Sequence, residues 1–167
     1  MIYLSYMLKI SLIKLKPNHF KLFNRWWNDP ELRRWTSGTN EAVKPEAVVR
    51  ILSRHLTNKN GFDFIITAKR KPIGHILIQR KKTKKHYEVY IAIGEKRYWG
   101  RGIGTVAMQQ AVNWFFKNFP REKNLYLEVL PKNIRAIRCY QKVGFKKIRL
   151  IKPQKSPSTW LMVKLRE

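Results

Sequence analysis

At 167 residues, with six Trp, seven Tyr and eight Phe, the chain is predicted to form one folded domain with a sizeable core, which excludes a disordered basic tail. Its formal charge of +26 favours attraction to nucleic acid, an anionic surface or a phosphorylated substrate, unless lysines have simply accumulated on solvated faces. A single cysteine, Cys139, excludes an internal disulfide framework and fits a reducing cytoplasm.

The first part of the chain predicts a strand followed by two helices. Residues 1–15 are apolar but contain two lysines, are too short to span a bilayer and have no small-residue cleavage site, so we expect no membrane contact. The strand covers Lys9–Leu15. The first helix runs from an N-cap at Asn18 to about Trp27, where Asn28-Asp29-Pro30 stops it, and the second helix spans Pro45–Leu56.

The rest of the chain predicts strands and helices in alternation. Strands at Phe62–Ala68 and Ile73–Gln79 flank an Arg70-Lys71-Pro72 turn. The basic run Arg80–Lys85 lies between two predicted strands, which favours a hairpin loop over a dedicated binding arm. The later elements are a strand at Tyr87–Ile93, a helix at Thr105–Phe116, a strand at Asn124–Leu130, a helix at Ile134–Val143, and strands at Phe145–Ile151 and Trp160–Leu165. This order predicts one mixed α/β sheet with helices on its faces.

No repeat, linker or low-complexity tract divides the sequence, so we expect a single domain over residues 1–167. Met7 is a second candidate start, and in that case residues 1–6 are an extension.

Three glycines at alternate positions, Gly100, Gly102 and Gly104, lie between a strand-like run and a helical pattern. Glycines at a strand-to-helix turn let backbone N–H groups approach a ligand, and the helix N-terminus adds a favourable field for an anion. A dinucleotide-binding loop would place the third glycine one residue later, and a P-loop would have a lysine before Thr105. The spacing therefore favours a loop that wraps a pyrophosphate, with Arg101 adding charge.

A second motif follows in the segment from Leu127 to Phe145, which contains Asn133, Tyr140 and Gly144 in the pattern Asn–x2–Ala–x3–Tyr–x3–Gly–Phe. With this motif after the glycine loop, the chain resembles the GNAT superfamily of acetyl-CoA-dependent N-acetyltransferases. The resemblance is strong over about residues 87–147, weaker over residues 10–68 and absent for residues 1–6.

Two details point to branches of that superfamily. The Tyr98-Trp99-Gly100 variant, together with Trp26-Trp27-Asn28-Asp29-Pro30, is similar to the branch of ribosomal-protein and polyamine N-acetyltransferases. The run from Asn133 to Tyr140 also resembles aminoglycoside 6′-acetyltransferases. Both motifs are specific for the superfamily and poorly specific for the acceptor.

The resemblance implies an α/β (α+β) fold with a single mixed, mostly antiparallel sheet and helices on both faces. It implies a gap between the strands at Tyr87–Ile93 and Asn124–Leu130, into which the pantetheine of acetyl-CoA inserts. The residues then expected to bind acetyl-CoA are Ala92, Ile93 and Gly94 for pantetheine, the loop residues Gly100, Arg101, Gly102, Ile103, Gly104 and Thr105 for pyrophosphate, and Asn133 and Tyr140.

Tyr140 is the expected general acid, because it matches the tyrosine of this family that faces the cofactor sulfur. Ordinary core packing is the alternative for a tyrosine on an amphipathic helix. Asn133 is expected to contact the cofactor, to cap the helix that begins at Ile134, or to do both.

The acceptor must lose a proton, since a lysine-like amine has a pKa of about 10.4. Ten acidic residues limit the candidates for the base. Glu88 ranks first, because in the resembling branch a glutamate near this position reaches the acceptor amine, followed by Glu128 and then Glu95. The alternative for Glu88 is a surface carboxylate that neutralises Lys84 and Lys85.

Other side chains are given lesser roles. Cys139 has no evident base partner, which argues against an acyl-cysteine intermediate, and the four histidines at positions 19, 55, 75 and 86 show no metal-ligand spacing. Trp26, Trp27 and Trp35 are candidate walls of an acceptor pocket, with core packing equally expected for the first two.

The positive charge bears on the acceptor. Polyamines and aminoglycosides are polycations, so this chain is a poor electrostatic trap for them unless Glu41, Glu46, Glu88 and Glu128 converge. A protein N-terminal α-amine is the first expectation, because its pKa is about 7.7–8.0. An amino-sugar nucleotide, an aminoacyl-tRNA, an aminoglycoside and a polyamine stay open as acceptors, as does contact with nucleic acid or a ribosome.

An RNA-binding module on an inactive acetyltransferase scaffold is the alternative from another functional class, although Tyr140 and Asn133 argue against it. Both a monomer and a homodimer fit the sequence.

Overall fold

The computed structural model describes residues 9–38, 41–57, 61–81, 83–154 and 156–167. The proposed extension at residues 1–6, the alternative start at Met7 and one member of the basic run, Lys82, lie outside the described residues. Within those described, no helix combines the length and apolar character that crossing a bilayer requires.

The described chain forms seven strands and five α-helices, with 3-10 turns before the first helix and after the fourth strand. The strands are β1 Ile10–Lys14, β2 Gly61–Ala68, β3 Lys71–Lys81, β4 His86–Ile93, β5 Asn124–Val129, β6 Lys146–Ile151 and β7 Thr159–Leu165. The helices are α1 Phe20–Trp27, α2 Pro30–Thr36, α3 Pro45–Thr57, α4 Ile103–Asn118 and α5 Ile134–Lys142.

All seven strands belong to one sheet in the order β1-β2-β3-β4-β5-β7-β6, and only the β4–β5 pair is parallel among the described strands. Alternate residues of each strand feed two separate cores, as the pleat of a strand requires. Helices α4 and α5 cover one face, where Val89 and Ile76 are buried. Helices α1 to α3 cover the other face, where Ala92 and Ile65 are buried. The predicted mixed, mostly antiparallel sheet with helices on both faces is confirmed.

Helix α4 is held to its face by a stripe of small and apolar residues at helical spacing. Its buried side chains are Ile103, Ala107, Met108, Ala111, Val112 and Phe115. This helix begins at Ile103, two residues before the predicted start, so that Gly104 lies in its first turn. The glycine loop is thereby fixed to the core by the helix that follows it.

The parallel pair β4–β5 is short. Its ladder joins Glu88 with Tyr126 and no other pair of residues in these two described strands. Beyond this point the strands diverge, and residues 89–93 of β4 and 128–130 at the end of β5 line the same cavity. The gap that the resemblance implied is therefore present, and it opens toward the carboxyl ends of both strands.

The segment Asn28-Asp29-Pro30 ends α1 as predicted, but it also begins α2, which the sequence prediction missed. The Asp29 carboxylate accepts hydrogen bonds from the backbone N–H of Glu31 and of Leu32, both at 3.0 Å, and Pro30 occupies the first helical position. An Asp followed by Pro is an N-cap signature as well as a stop signal. The strand β3 also begins earlier than predicted, so that Pro72 lies within it, next to a register shift in β2.

Candidate active site

A cavity of about 650 Å³ occupies the gap between β4 and β5 and extends beneath α1 and α2. One end is bounded by the glycine loop and α5. The other end is bounded by strand residues and by aromatic and histidine side chains, namely Phe23, Trp26, Trp27, Trp35, His55 and His75. The three tryptophans named as candidate walls of an acceptor pocket thus line the cavity, and Trp26 is also part of the core.

The glycine loop leaves space for a ligand. Gly100 and Gly102 have φ of 72° and 75°, a region that glycine adopts readily, and a Cβ at either position would meet no atom within 4 Å. Gly102 is the N-cap of α4 and has no side chain with which to bond the first N–H groups of the helix. The first N–H groups of a helix have no intrahelical acceptor, so the loop and helix end present backbone donors to the cavity. Gly100, Gly102, Ile103, Gly104 and Thr105 all line the cavity.

Positive charge surrounds this end of the cavity. Arg135, Arg138 and Lys142 of α5 line it, at the three- and four-residue spacing that places side chains on one face of a helix. Sequence reasoning missed these residues, although their spacing in a predicted helix after the glycine loop was a usable signal. Arg101 lies in the loop but does not line the cavity.

The end of β4 is shaped by two tryptophans. The Trp99 indole N–H donates to the Ile93 carbonyl at 2.6 Å, and the Arg135 guanidinium lies 4.0 Å from the Trp99 ring centre. Ala92 and Ile93, expected to bind pantetheine, line the cavity, whereas Gly94 lies against the Trp26 ring and is not among the lining residues. The carbonyl of Ile93 is therefore already engaged by a side chain of the chain itself.

Tyr140 and Asn133 both line the cavity from α5. Burial, with a smaller contribution from Cys139, raises the pKa of Tyr140, so its hydroxyl stays protonated at neutral pH. Asn133 caps α5 by accepting from the N–H of Ala136 at 3.1 Å, and it donates to the Trp35 carbonyl at 3.0 Å. The predicted capping role of Asn133 is confirmed, and the same side chain ties α2 to α5.

Cys139 adjoins the glycine loop, and the Thr105 hydroxyl donates to its sulfur at 3.4 Å. Burial raises the pKa of this thiol, although the Thr105 hydrogen bond and Lys142 oppose the effect. A protonated thiol is a weak nucleophile. This environment agrees with the expectation that no acyl-cysteine forms.

The two leading candidates for the base meet at one lysine. The Lys84 ammonium donates to a Glu88 carboxylate oxygen at 2.8 Å and to a Glu128 oxygen at 2.7 Å. Glu88 also accepts from the Tyr90 hydroxyl and contacts the His86 ring nitrogen at 3.0 Å. Glu128 and Tyr90 line the cavity, while Glu88 is 1% exposed and lies behind them, bonded to Tyr90 directly and joined to Glu128 by Lys84. Glu88 is thus paired with Lys84 but is not the surface carboxylate of the alternative reading.

Burial alone would raise the pKa of Glu88, but hydrogen bonds from Lys84, Tyr90 and His86 outweigh it and lower the pKa to about 2. Burial raises the pKa of Tyr90, and the hydrogen bond to Glu88 adds to that rise. A carboxylate with so low a pKa is a weak proton acceptor at neutral pH. Its charge is available instead for binding a cation.

Glu95, the third candidate for the base, holds α1 in place. It accepts from the Trp26 indole N–H at 2.9 Å and forms an ion pair with Arg25. Two partners on α1 leave this carboxylate a structural part in joining the helix to the end of β4.

A further carboxylate, Asp63, lines the cavity on the side of β2. Its side chain is 7% exposed and bonds the His55 ring at 3.1 Å. Asp63 pairs with Leu77, which pairs with Tyr90, so these side chains project from one face of the sheet with strands about 4.8 Å apart. Asp63 therefore lies about 10 Å from Tyr90 across the sheet. It lies in a strand that is mostly apolar, and no local sequence pattern marks it as a site residue.

Four glutamates were considered as a joint site for a polycation. Glu88 and Glu128 lie together, whereas Glu41 and Glu46 are exposed and do not line the cavity. Among the described residues, no group of three or more His, Cys, Asp or Glu is arranged to hold a metal ion.

A family model described as an acetyltransferase (GNAT) domain matches residues 9–146. The chain is 26% identical over 145 residues to an uncharacterised protein of Methanocaldococcus jannaschii, covering 84% of this chain but 29% of that protein's length.

Two solved structures share the fold. A crystal structure of an aminoglycoside 6′-acetyltransferase in complex with coenzyme A has a TM-score of 0.81 at 20% identity, with 95% of each chain covered. A spermidine N-acetyltransferase from Vibrio cholerae, in complex with CoA and spermine, has a TM-score of 0.79 at 15% identity, covering 94% of this chain and 95% of the other.

Proposed function

The chain belongs to the GNAT acetyltransferase family, and from this premise we propose that it transfers an acetyl group from acetyl-CoA directly to a primary amine of a small molecule. One observation carries the choice of acceptor. Glu128, which lines the cavity, and the buried Glu88 beside it hold the Lys84 ammonium between them, in a chain with ten acidic residues in all.

The donor end of the cavity fits acetyl-CoA, which supplies the acetyl thioester. Gly100 and Gly102 border open space at the start of α4, and Arg135, Arg138 and Lys142 line the same end of the cavity. The N–H donors at a helix start suit a pyrophosphate, and the three cations suit the remaining charge of a polyanion. Asn133 and Tyr140 border the same space from α5.

Tyr140 is the proposed donor to the leaving sulfur. A thiol has a pKa of about 8.5, well below the raised pKa of a buried tyrosine, so full proton transfer from Tyr140 to the thiolate would be uphill. A hydrogen bond from the protonated hydroxyl stabilises the thiolate without that transfer. Tyr140 then acts as a hydrogen-bond donor more than as a source of the proton.

We assign Glu88 to binding the acceptor's ammonium, because its pKa of about 2 makes it a poor base. Glu128 lines the cavity directly and is the proposed proton acceptor. Tyr90 links Glu88 to the cavity, since it lines the cavity and donates to this carboxylate.

A protein N-terminal α-amine is the second candidate acceptor. The formal charge of +26 favours an acceptor that is not itself polycationic, and an α-amine has a pKa of about 7.7–8.0, which eases deprotonation. The solved relatives named for aminoglycosides and spermidine support the small-molecule choice by likeness of fold.

The test is thiol release from acetyl-CoA with a panel of amines that contains spermidine, kanamycin and a short peptide with a free N-terminus. We expect at least one small-molecule amine to be turned over with a higher kcat/KM than the peptide. The peptide as the best acceptor would favour the second candidate. If calorimetry detects no binding of acetyl-CoA and the protein binds tRNA in a salt-sensitive manner, the RNA-binding alternative would replace both acetyltransferase proposals.

A further inference from the structure

The Lys84 ammonium lies between two carboxylates, of which Glu128 lines the cavity and Glu88 is buried beside it. Its Nζ atom is 2.8 Å from a Glu88 oxygen and 2.7 Å from a Glu128 oxygen. Lys84 lies in the turn between β3 and β4, whereas the carboxylates project from β4 and β5. We call Glu88 and Glu128 the carboxylate pair.

We propose that Lys84 is an intramolecular occupant of the acceptor's ammonium site, which a cationic acceptor must displace, so that Lys84 sets the KM for such acceptors. The proposal rests on the proposed function, because the carboxylate pair is an acceptor site only if the chain acetylates amines. It adds that the chain carries its own competitor.

The chemistry of the two occupants is the same. A lysine side chain ends in a primary ammonium with three N–H donors, as does the protonated form of any primary amine acceptor. Hydrogen bonds to Glu128 and Glu88 raise the pKa of Lys84 despite the opposing effect of burial, so the occupant is charged and is not itself a nucleophile.

Lys84 is placed to leave while the carboxylate pair stays. Its side chain is 41% exposed, compared with 1% for Glu88 and 25% for Glu128. A lysine in a turn has a long, flexible stem and can move into solvent while the strands stay in place, and the ammonium of the incoming acceptor replaces the ion pairs that it gives up. After it leaves, Lys81 at 3.7 Å, the Tyr90 hydroxyl and the His86 ring still compensate the charge of Glu88.

A purely structural part for Lys84 makes a different prediction. The lysine bridges β4 and β5 next to their one ladder pair, Glu88 with Tyr126. If its purpose were to hold these strands together, its removal would lower kcat and thermal stability and would leave acceptor affinity unchanged or weaker. An occupant, when removed, lets the acceptor bind more tightly.

The experiment measures kcat and KM for spermidine at saturating acetyl-CoA in four variants. Lys84→Met and Lys84→Gln remove the charge, Lys84→Arg keeps it, and Lys85→Met removes a neighbouring charge from the same turn. We expect the two neutral variants at position 84 to lower KM about three- to tenfold with kcat within about twofold of the parent. Lys84→Arg and Lys85→Met should resemble the parent. An unchanged or higher KM in both neutral variants would overturn the proposal.

Calorimetry of spermidine binding, without acetyl-CoA, separates this proposal from the proposed function. Tighter binding in Lys84→Gln than in the parent supports the occupant even if no variant turns spermidine over. No thiol release with any amine of the panel, including by the parent, would instead contradict the proposed function. Equal spermidine binding in the parent and in both neutral variants would contradict the occupant alone.

Discussion

Trp26 lies so close to Gly94 that a Cβ at position 94 would stand 2.3 Å from the indole ring. The close approach packs α1 on the end of β4, and Glu95 fixes it by accepting from the same indole. Because Gly94 has no side chain, Trp26 can pack at this distance and form part of the cavity wall.

Gly94→Ala should destabilise the protein by about 1–3 kcal/mol, because the new methyl group overpacks a buried aromatic contact. Gly104→Ala is the matched control, since its Cβ would meet its nearest neighbour, the Cys139 sulfur, at an ordinary 3.6 Å. Denaturant unfolding of both variants measures the difference. Equal stability of the two would show that the contact at Gly94 relaxes freely.

Gly100→Ala and Gly102→Ala should weaken acetyl-CoA binding more than they weaken folding. Each places a methyl group in the open space of the loop at a positive φ, which costs about 1–2 kcal/mol of strain. Calorimetric Kd values for acetyl-CoA give the measurement. Gly38→Ala has a similar φ of 72° away from the loop, and it should reduce stability and leave the Kd unchanged. An equal loss of acetyl-CoA affinity in Gly38→Ala would show that the effect is not specific to the glycine loop.

Tyr140→Phe should lower kcat about 10- to 100-fold and change the KM for acetyl-CoA little, because the hydrogen bond is made to the developing thiolate. Tyr87→Phe is the control. Tyr87 is buried against Phe115 and Phe119 and does not line the cavity. Full activity of Tyr140→Phe would leave core packing as the role of this tyrosine.

The pH dependence of kcat/KM should follow the acceptor and not Glu88. The pKa of Glu88 of about 2 leaves it ionised throughout the working range. The rising limb should therefore move between a peptide α-amine with a pKa of about 8 and a lysine-like amine with a pKa of about 10.4. A rising limb at the same pH for both amines would contradict its assignment to the acceptor.

Stability should fall as the pH is lowered from about 6.5 to 4, because burial and the nearby His55 lower the pKa of His75 to about 4. The unfolded chain binds a proton at this histidine in that window and the folded chain does not, so acid favours unfolding. His75→Phe keeps an aromatic ring beside Phe23 and Trp26 and should flatten this part of the profile by up to about 3 kcal/mol. An unchanged pH profile in the variant would assign the effect to other groups.

Local patterns predicted most of the fold because periodicity and capping are local. Strands at Tyr87–Ile93 and Asn124–Leu130 and the long helix after the glycine loop were found within two residues of their observed bounds. The helix α2 is absent from the sequence prediction because Asp29-Pro30 is typical of a helix stop as well as of a helix start. Seven residues are short for a periodic signal, so the cap was its main evidence.

The site divides in the same way. The glycine loop, Asn133 and Tyr140 lie in motifs that a single stretch of sequence reveals. Asp63 and the meeting of Glu88 with Glu128 depend on which strands are neighbours in the sheet. The contact of Lys84 with Glu128 also joins distant parts of the chain, unlike its contact with Glu88 four residues away. Pairings of that kind are set by tertiary structure, and no spacing along the chain encodes them.

The β4–β5 ladder is so short that the sheet consists of two groups of hydrogen-bonded strands, β1 to β4 and β5 to β7. One ladder pair joins the two groups in the described strands. We expect a ligand with amide groups that enters the gap to hydrogen-bond backbone groups of β4 or β5 that have no partner strand there. Occupancy of the gap is then part of the folding equilibrium, since any molecule that binds only the native state adds RT ln(1 + [L]/Kd) to its stability. The melting temperature of this protein should accordingly report the concentration of its donor.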